Sequence, residues 1–238
     1  MVDVLVSFSV VIVLIAILLP SLRGVRNTAE RVVCRSNVRQ VGLGLGFFAN
    51  ENQDRLPSTY WLEAYGNQRD DTVHHAHETL KLYLWETPTN GVRAGWDGLG
   101  HLYEGEYLAT PQIFYCPSHN GAHTYGEYAS TWNSRRGSIF GNFQFRGVGP
   151  NGIRTLHGVD PRSSAIVADA LRSQMDFNHE QGLNVLTADL AVYWFTDEDR
   201  SLKSSLLPDE AEVIARVNEA TNATNSAWRI LDERAQGR

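Results

Sequence analysis

The sequence predicts an α+β fold, in which one long N-terminal helix packs on a small antiparallel β-sheet domain. Three observations carry that prediction. Residues 1–19 form an apolar run whose only polar members are Asp3, Ser7 and Ser9. Helical i+3/i+4 spacing then continues to about Asn50. Far downstream, residues 163–171 and 182–195 carry the apolar alternation and turn residues of strands. A chain of 238 residues is long enough for one domain with an appendage. With only two cysteines, Cys34 and Cys116, it is neither a disulfide-rich scaffold nor a four-thiolate zinc protein.

Charge is segregated along the chain. The net charge is −6 overall, but residues 20–45 carry Arg23, Arg26, Arg31, Arg35 and Arg39 against Glu30, a local +4. With Asp3 the only charge before them, the rest of the chain holds −9. An apolar end, a basic collar and an acidic body follow one another, and an acidic body repels phosphate, which argues against nucleic acid as a partner.

The first element is the apolar run. Its 19 residues fall inside the roughly 17–25 that a helix needs to cross about 30 Å of hydrocarbon. A secretory signal peptide needs a basic start and a small-x-small exit, whereas this segment starts MVD and leaves through LLPSLRGVR. Residues 1–19 therefore read as the transmembrane half of a helix. The arginines follow the segment, and by positive-inside counting alone they would leave the body in the cytoplasm.

Residues 20–50 read as the amphipathic half of the same helix. Leu22, Val25, Ala29, Val32/Val33, Ser36, Gln40/Val41, Leu45 and Phe48 make the expected stripe toward the domain, with the arginines on the other faces. Pro20 lacks an N–H and clashes with the preceding turn, so a kink is expected there. Gly42, Gly44 and Gly46 each cost up to ~1 kcal/mol in a helix, a cost acceptable where the helix lies close against a sheet.

Residues 51–200 read as the α+β globular domain. Its first part, 58–100, is rich in Trp, Tyr, His and Gly and includes His74, His75 and His77, read as solvated loop histidines because no further ligand pattern accompanies them. Cys116, His119 and His123 have ligand-like spacing but lack a certain fourth ligand. Residues 182–195 predict a β-hairpin with its tip at Ala188, Asp189 and Leu190, where Asp189 can bond its own backbone. The acidic run at 196–199 offers oxygen ligands but no EF-hand pattern. Residues 201–238 read as a C-terminal extension with a short helix opened by Pro208 and Asp209, and a loosely held end.

Four segments in order resemble a known family. The run DVLVSFSVVIVLIAILLPSL is similar to the N-terminal methylation motif of type IV pilin-like proteins. CRSNVRQVGLGLGFFANENQDRLP (34–57) resembles the Cys-x-x-Asn-Leu-x-Gln-Ile-Gly-Leu run of the pseudopilin-like members typical of planctomycetes, YLATPQIFYCPSH (107–119) resembles their Cys-Pro-Ser segment, and HEQGLNVLTADLAVYWF (179–195) resembles their His-x9-Asp-Gly motif. Two departures stand out. Asp3 takes the place of the family's Glu, and the family's Phe and basic leader have no counterpart, so the leader is expected upstream of Met1. Leu190 stands where the motif has Gly, so a different turn is expected.

The resemblance implies a pilin-like fold and a structural role without enzymatic chemistry. The chain is then a pseudopilin or pilin-like subunit of a type II secretion or type IV pilus-like filament. Asp3 would be the assembly residue, pairing with a neighbour's amino group, because an unpaired charge in an apolar filament core costs several kcal/mol. Partners implied are homologous pilin-like subunits, the inner-membrane assembly platform, prepilin peptidase and the lipid bilayer. The implied location is the inner membrane, single-pass, with the body on the periplasmic side. Of cofactors, none is implied beyond the calcium that some pseudopilins carry. In an oxidising compartment Cys34 and Cys116 can form one disulfide closing a loop of about 80 residues, worth about 4 kcal/mol in the chain-entropy model; the alternative is two buried thiols that never meet. Two other classes compete: a membrane-anchored hydrolase using His179 with Asp169 or Asp189, and a carbohydrate- or cell-wall-binding module presenting Trp61, Trp85 and Trp96 on one face.

Overall fold

The computed structural model describes residues 2–61, 75–85 and 94–237, and it is an α+β arrangement with two antiparallel sheets. Helix α1 (Val2–Glu51) is one continuous helix of 50 residues that passes through Pro20. The side chains of Asp3 and Pro20, like residue His74, lie outside the described residues. Among the described residues no helix is long and apolar enough to cross a membrane. The longest run of described side chains in the first half, 6–17, apolar but for Ser7 and Ser9, covers about 18 Å at 1.5 Å per residue.

The second half of α1 is apolar on two faces. Cys34, Val38, Val41, Leu45 and Ala49 are buried in the domain core. Val25, Val32, Leu43 and Phe47 are exposed, and at about 100° per residue they line the opposite side of the cylinder. The expected single stripe is thereby corrected: its described members from Val25 to Val33 belong to the outer side, and only from Val41 onward does it reach the core. A one-sided pattern can be drawn through the sequence only by stepping from Gln40 to Val41.

The glycines sit where the helix touches the body. A Cβ on Gly42 would come within 2.7 Å of Leu186, one on Gly46 within 2.9 Å of Leu190, and one on Gly44 within 3.2 Å of Leu108. Close approach to the sheet thus offsets their poor helix propensity. After Glu51 the chain reverses through Gln53 and Asp54, both at positive φ, and Arg55 bridges to Thr155.

Strands β1 (Lys81–Leu84), β2 (Gly95–Trp96) and β3 (Ile139–Phe140) form a sheet of order β2-β1-β3. Helices α2 (Gly100–Glu104) and α3 (Tyr125–Ser134) lie between β2 and β3 in the chain. Strands β4 (Phe143–Phe145), β5 (Ala165–Asp169), β6 (Gly182–Thr187) and β7 (Val192–Thr196) form the larger sheet in the order of the chain. The hairpin of β6 and β7 turns at residues 188–191 as the sequence predicts. Leu190 adopts φ 63°, the left-handed conformation for which glycine would be the easier residue, so the expected different turn is not found. The Leu190 side chain reaches over Gly46 of α1, a packing contact that glycine could not make.

The C-terminal extension is the largest correction to the expected fold. Beyond α4 (Ser201–Ser205) and α5 (Glu210–Ala215), residues expected to be loosely held form α6 (Val217–Gln236). Trp228, Leu231 and Ala235 of α6 pack with Leu183, Val185, Tyr193 and Phe195 of the larger sheet. Leu186, Ile166 and Val167 share the other core cluster with α1. The sheet is therefore covered by a helix on each face, which is why every residue of β5 and β6 is buried. Arg146 donates to Asp232 at 2.7 Å and Asp232 accepts the Ala165 N–H at 2.8 Å, locking α6 to the strand edges.

Candidate metal centre

On the α1 side of the larger sheet, four side chains from distant segments converge. Cys34 comes from α1, Cys116 from the loop after a 3-10 turn (Pro111–Phe114), Asp169 from the end of β5, and His179 from the residue that bridges to Gly182 as β6 begins. One candidate ligand atom from each lies within 4.8 Å of the others. The first three residues are at most 4% exposed, and the His179 side chain is 8% exposed.

Local folding explains each position. Cys34 lies one turn above Val38 on the buried face of α1. The Cys116 N–H donates to Asn142 Oδ1 at 3.3 Å, and the preceding residue's carbonyl, on Tyr115, accepts from Asn37 of α1 at 3.0 Å, so the Cys-Pro loop is held against the helix. Asp169 is the best-anchored member. Its Oδ2 accepts the Asn184 backbone N–H at 2.6 Å and its Oδ1 accepts Asn178 Nδ2 at 3.2 Å. The His179 ring stands edge-on to Trp194, and the Arg31 guanidinium lies 3.6 Å from the centre of that same indole ring.

The distances define the chemistry. The Cys34 thiol donates to Asp169 Oδ1 at 3.0 Å. Cys116 Sγ is 3.6 Å from His179 Nε2, and Asp169 Oδ2 is 3.7 Å from the same nitrogen. A nucleophile–base–acid chain needs the acid on one ring nitrogen and the nucleophile on the other. Here both face Nε2, and 3.7 Å is too long for a nitrogen–oxygen hydrogen bond. The hydrolase arrangement of His179 with Asp169 is therefore not formed, and Asp189 is elsewhere, accepting from Thr187 Oγ1 at 2.7 Å and the Ala191 N–H at 3.1 Å in the hairpin turn.

Electrostatics follow the packing. Burial, then the contact with Cys116 and the charge of Asp169, push the Cys34 thiol well above its ordinary pKa. Burial acts the same way on Cys116, but its contacts with Cys34 and His179 outweigh it and lower that thiol. Burial opposes a charged His179, yet its contact with Cys116 and the Asp169 carboxylate raise it.

No protein-family model matches the chain. Neither a characterised protein nor a solved structure does.

Other residues singled out in the sequence go to different places. Cys34 and Cys116 do meet, but as free thiols rather than a disulfide. Cys116, His119 and His123 do not form one ligand set: His119 Nδ1 contacts Asn178 at 2.7 Å, while His123 contacts Tyr128 Oη at 2.5 Å and Arg172 at 2.6 Å. His77 is buried rather than solvated, and burial first of all drives it down to about 4. Of Trp61, Trp85 and Trp96, only Trp85 is exposed; Trp96 packs among Tyr83, Tyr103 and Trp132. In the acidic run at 196–199, Asp197 accepts the Leu202 and Lys203 N–H groups and Asp199 that of Ser201, so both carboxylates cap α4.

Sequence alone does not assemble the four-residue cluster. Its members appear there as two separate pairs, the cysteines as a candidate disulfide and His179 with Asp169 as a candidate catalytic couple. The usable signal is that a Cys in the long helix, a Cys-Pro loop and a His opening a strand all border elements that must pack on one sheet face.

Proposed function

We propose that the chain is a structural, pilin-like or pseudopilin subunit of a type II secretion or type IV pilus-like filament, held in the inner membrane by the first half of α1 before assembly. The observation that carries this is the outer face of α1. Val25, Val32, Leu43 and Phe47 are exposed in line, on the side away from the buried Cys34, Val38, Val41, Leu45 and Ala49. An exposed apolar stripe on a monomer marks an interaction surface. This one continues an apolar N-terminal run of 19 residues, and a second copy of the same helix is the partner whose surface matches it.

The chemistry of the first half supports the same reading. Val6, Phe8, Val10, Val11, Ile12, Val13, Leu14, Ile15 and Ile17 are each at least half exposed, with nothing among the described residues of the body to bury them. Ser9 returns its hydroxyl to the Val6 carbonyl at 2.9 Å, which satisfies it without water. The mechanism is mechanical. Subunits would leave the bilayer by exchanging lipid contacts for helix–helix contacts of similar apolarity, driven by a cytoplasmic ATPase such as the family uses, with the body outside and Asp3 paired to a neighbour's amino group. The resembling segments at 34–57, 107–119 and 179–195 all contribute to the core that holds α1, in keeping with a scaffold role.

Membrane flotation tests the anchor. The full chain is expected to float with vesicles and resist carbonate extraction. The Val11→Asp/Ile15→Asp variant is expected in the soluble fraction with its body still folded, because neither residue touches the core. A wild-type chain recovered folded in the soluble fraction would contradict the reading.

A further inference from the structure

We propose that Cys34, Cys116, Asp169 and His179 bind one zinc ion in a tetrahedral site that ties α1 to the larger sheet. The geometry of the four ligand atoms carries this, independently of the filament reading. Zinc takes Cys, His and carboxylate ligands, at ~2.3 Å to sulfur and ~2.0–2.1 Å to nitrogen or oxygen, so the edges of its tetrahedron measure roughly 3.3–3.8 Å. Of the two separations that converge on His179 Nε2, the 3.6 Å from Cys116 Sγ matches a sulfur–nitrogen edge of about 3.6 Å, and the 3.7 Å from Asp169 Oδ2 exceeds a nitrogen–oxygen edge of about 3.3–3.4 Å by a few tenths of an ångström. The nitrogen–oxygen separation is too long for a direct hydrogen bond, and together the two contacts place the sulfur and the carboxylate oxygen around one nitrogen lone pair, as a shared cation would. Cys34 Sγ, 3.0 Å from Asp169 Oδ1, supplies the remaining corner after a small opening of the site.

The surroundings suit a metal site. A buried carboxylate and a buried imidazole face two buried thiols, and no lysine or arginine has its charged group bonded to the carboxylate in the described contacts. Both carboxylate oxygens are oriented from behind, Oδ1 by Asn178 Nδ2 and Oδ2 by the Asn184 backbone N–H at 2.6 Å and its side-chain amide at 3.4 Å. Such outer contacts fix a ligand's direction and are characteristic of protein metal sites. The donor set of two sulfurs, one nitrogen and one oxygen suits zinc over magnesium or calcium, which take oxygen ligands. On binding, each thiol releases its proton to solvent, the imidazole coordinates through its neutral Nε2, and no electron is transferred.

The ligands also have the right places in the chain for a structural tie. They join α1, the Cys-Pro loop, β5 and the lead into β6, segments up to 145 residues apart between Cys34 and His179. All four are closed in, so the site has no open position of the kind a catalytic zinc keeps for water. Cys34 is the uppermost buried residue of α1 in the core cluster, so the ion would grip the helix where it leaves the body toward its apolar half.

The test uses the full chain in detergent, purified without chelator or histidine tag and with free thiols protected from air. Elemental analysis is expected to give one zinc per chain. Exchange for Co2+ is expected to produce the thiolate-to-cobalt charge-transfer band and the visible bands of tetrahedral cobalt. His179→Gln and Cys116→Ser are expected to abolish those bands, and Asp189→Asn, in the same hairpin but outside the cluster, to keep them. Because a ligand variant can fail to fold, Asn178→Ala serves as a second probe, with zinc affinity expected to fall about 10–100-fold while the fold is retained. A metal-free wild-type chain whose melting temperature is unmoved by added Zn2+, or a Cys34–Cys116 disulfide in protein trapped directly from membranes with a thiol-blocking reagent, would overturn the proposal.

Discussion

The two halves of α1 have the same secondary structure and opposite relations to the rest of the chain. In the first half, the described side chains from Val6 to Ile17 are all exposed. In the second half, one side of the cylinder disappears into the core while the other repeats the exposure of the first half. An α-helix in a globular protein is usually stabilised by burying one apolar face. The contrast teaches that α1 meets its own domain through one side only and leaves the rest of its described apolar surface uncovered, the surface that the proposed filament reading assigns to a partner or lipid.

The largest expected effect comes from exchanging equivalent apolar deletions between the halves. Leu45→Ala removes a fully buried side chain and is expected to cost about 2–5 kcal/mol in denaturant unfolding of the body. Val11→Ala, half exposed and away from the core, is expected to change the same unfolding free energy by less than about 0.5 kcal/mol. Equal losses at the two positions would mean that the first half is also part of the folded core.

Acid separates the halves next. Burial, reinforced by the neighbouring Arg172 charge, drives His123 down to about 3, and burial lowers His77 to about 4 although Glu78 opposes it. Arg172, Glu78, Lys81 and Glu210 surround the pair. Both histidines are neutral when folded but take up protons near pH 6.5 when unfolded, so the unfolded chain binds more protons below that pH. Their stabilisation is complete above about pH 6.5 and is lost as pH falls toward about 4, by up to about 1.4 kcal/mol per pH unit for each histidine. Urea midpoints measured between about pH 7 and about pH 4.5 are expected to fall accordingly, while flotation of the chain with vesicles is expected to stay unchanged. A flat midpoint over that range would contradict the burial of these two rings.

The smallest effect uses glycines of the same helix. Gly24 has open space where a methyl group would be added, so Gly24→Ala is expected to gain up to ~1 kcal/mol of helix stability. Gly42→Ala would press on Leu186, fully buried in the sheet, at 2.7 Å and 3.2 Å, and is expected to cost about 1–2 kcal/mol net. Thermal unfolding of the two variants side by side reads the difference in sign.

How much of this is legible in the sequence follows from which signals are local. The helix continuing past Pro20, the strand at 165–169 and the hairpin at 182–196 all come from periodicity and turn chemistry. The side of α1 that meets the body is hidden because Val25 and Val32 look like core residues until their angular position is compared with Cys34 and Val38. The C-terminal helix is hidden for a related reason. Its buried residues Trp228, Leu231 and Ala235 sit among Asn, Thr, Arg and Glu, and Asp232 looks like a surface acid until Arg146 is found beside it. Leu190 shows tertiary contact overriding local preference, since its left-handed backbone is held by packing over Gly46. The four-residue cluster joins Cys34, Cys116, Asp169 and His179 from four segments, and only the sheet register and the helix-on-sheet packing bring them together.

Site-specific photo-crosslinking along α1 tests the central claim most directly. With a photoreactive residue at Val32 or Phe47 on the exposed face, intact membranes of cells that express this chain are expected, on the proposed filament reading, to yield crosslinks between two copies of it. The same probe at Val38, which is fully buried, is expected to crosslink only within one chain. Copies joined through Val38, or an exposed face that meets no second copy under assembly conditions, would contradict the account of α1 as a helix built to exchange lipid for its own kind.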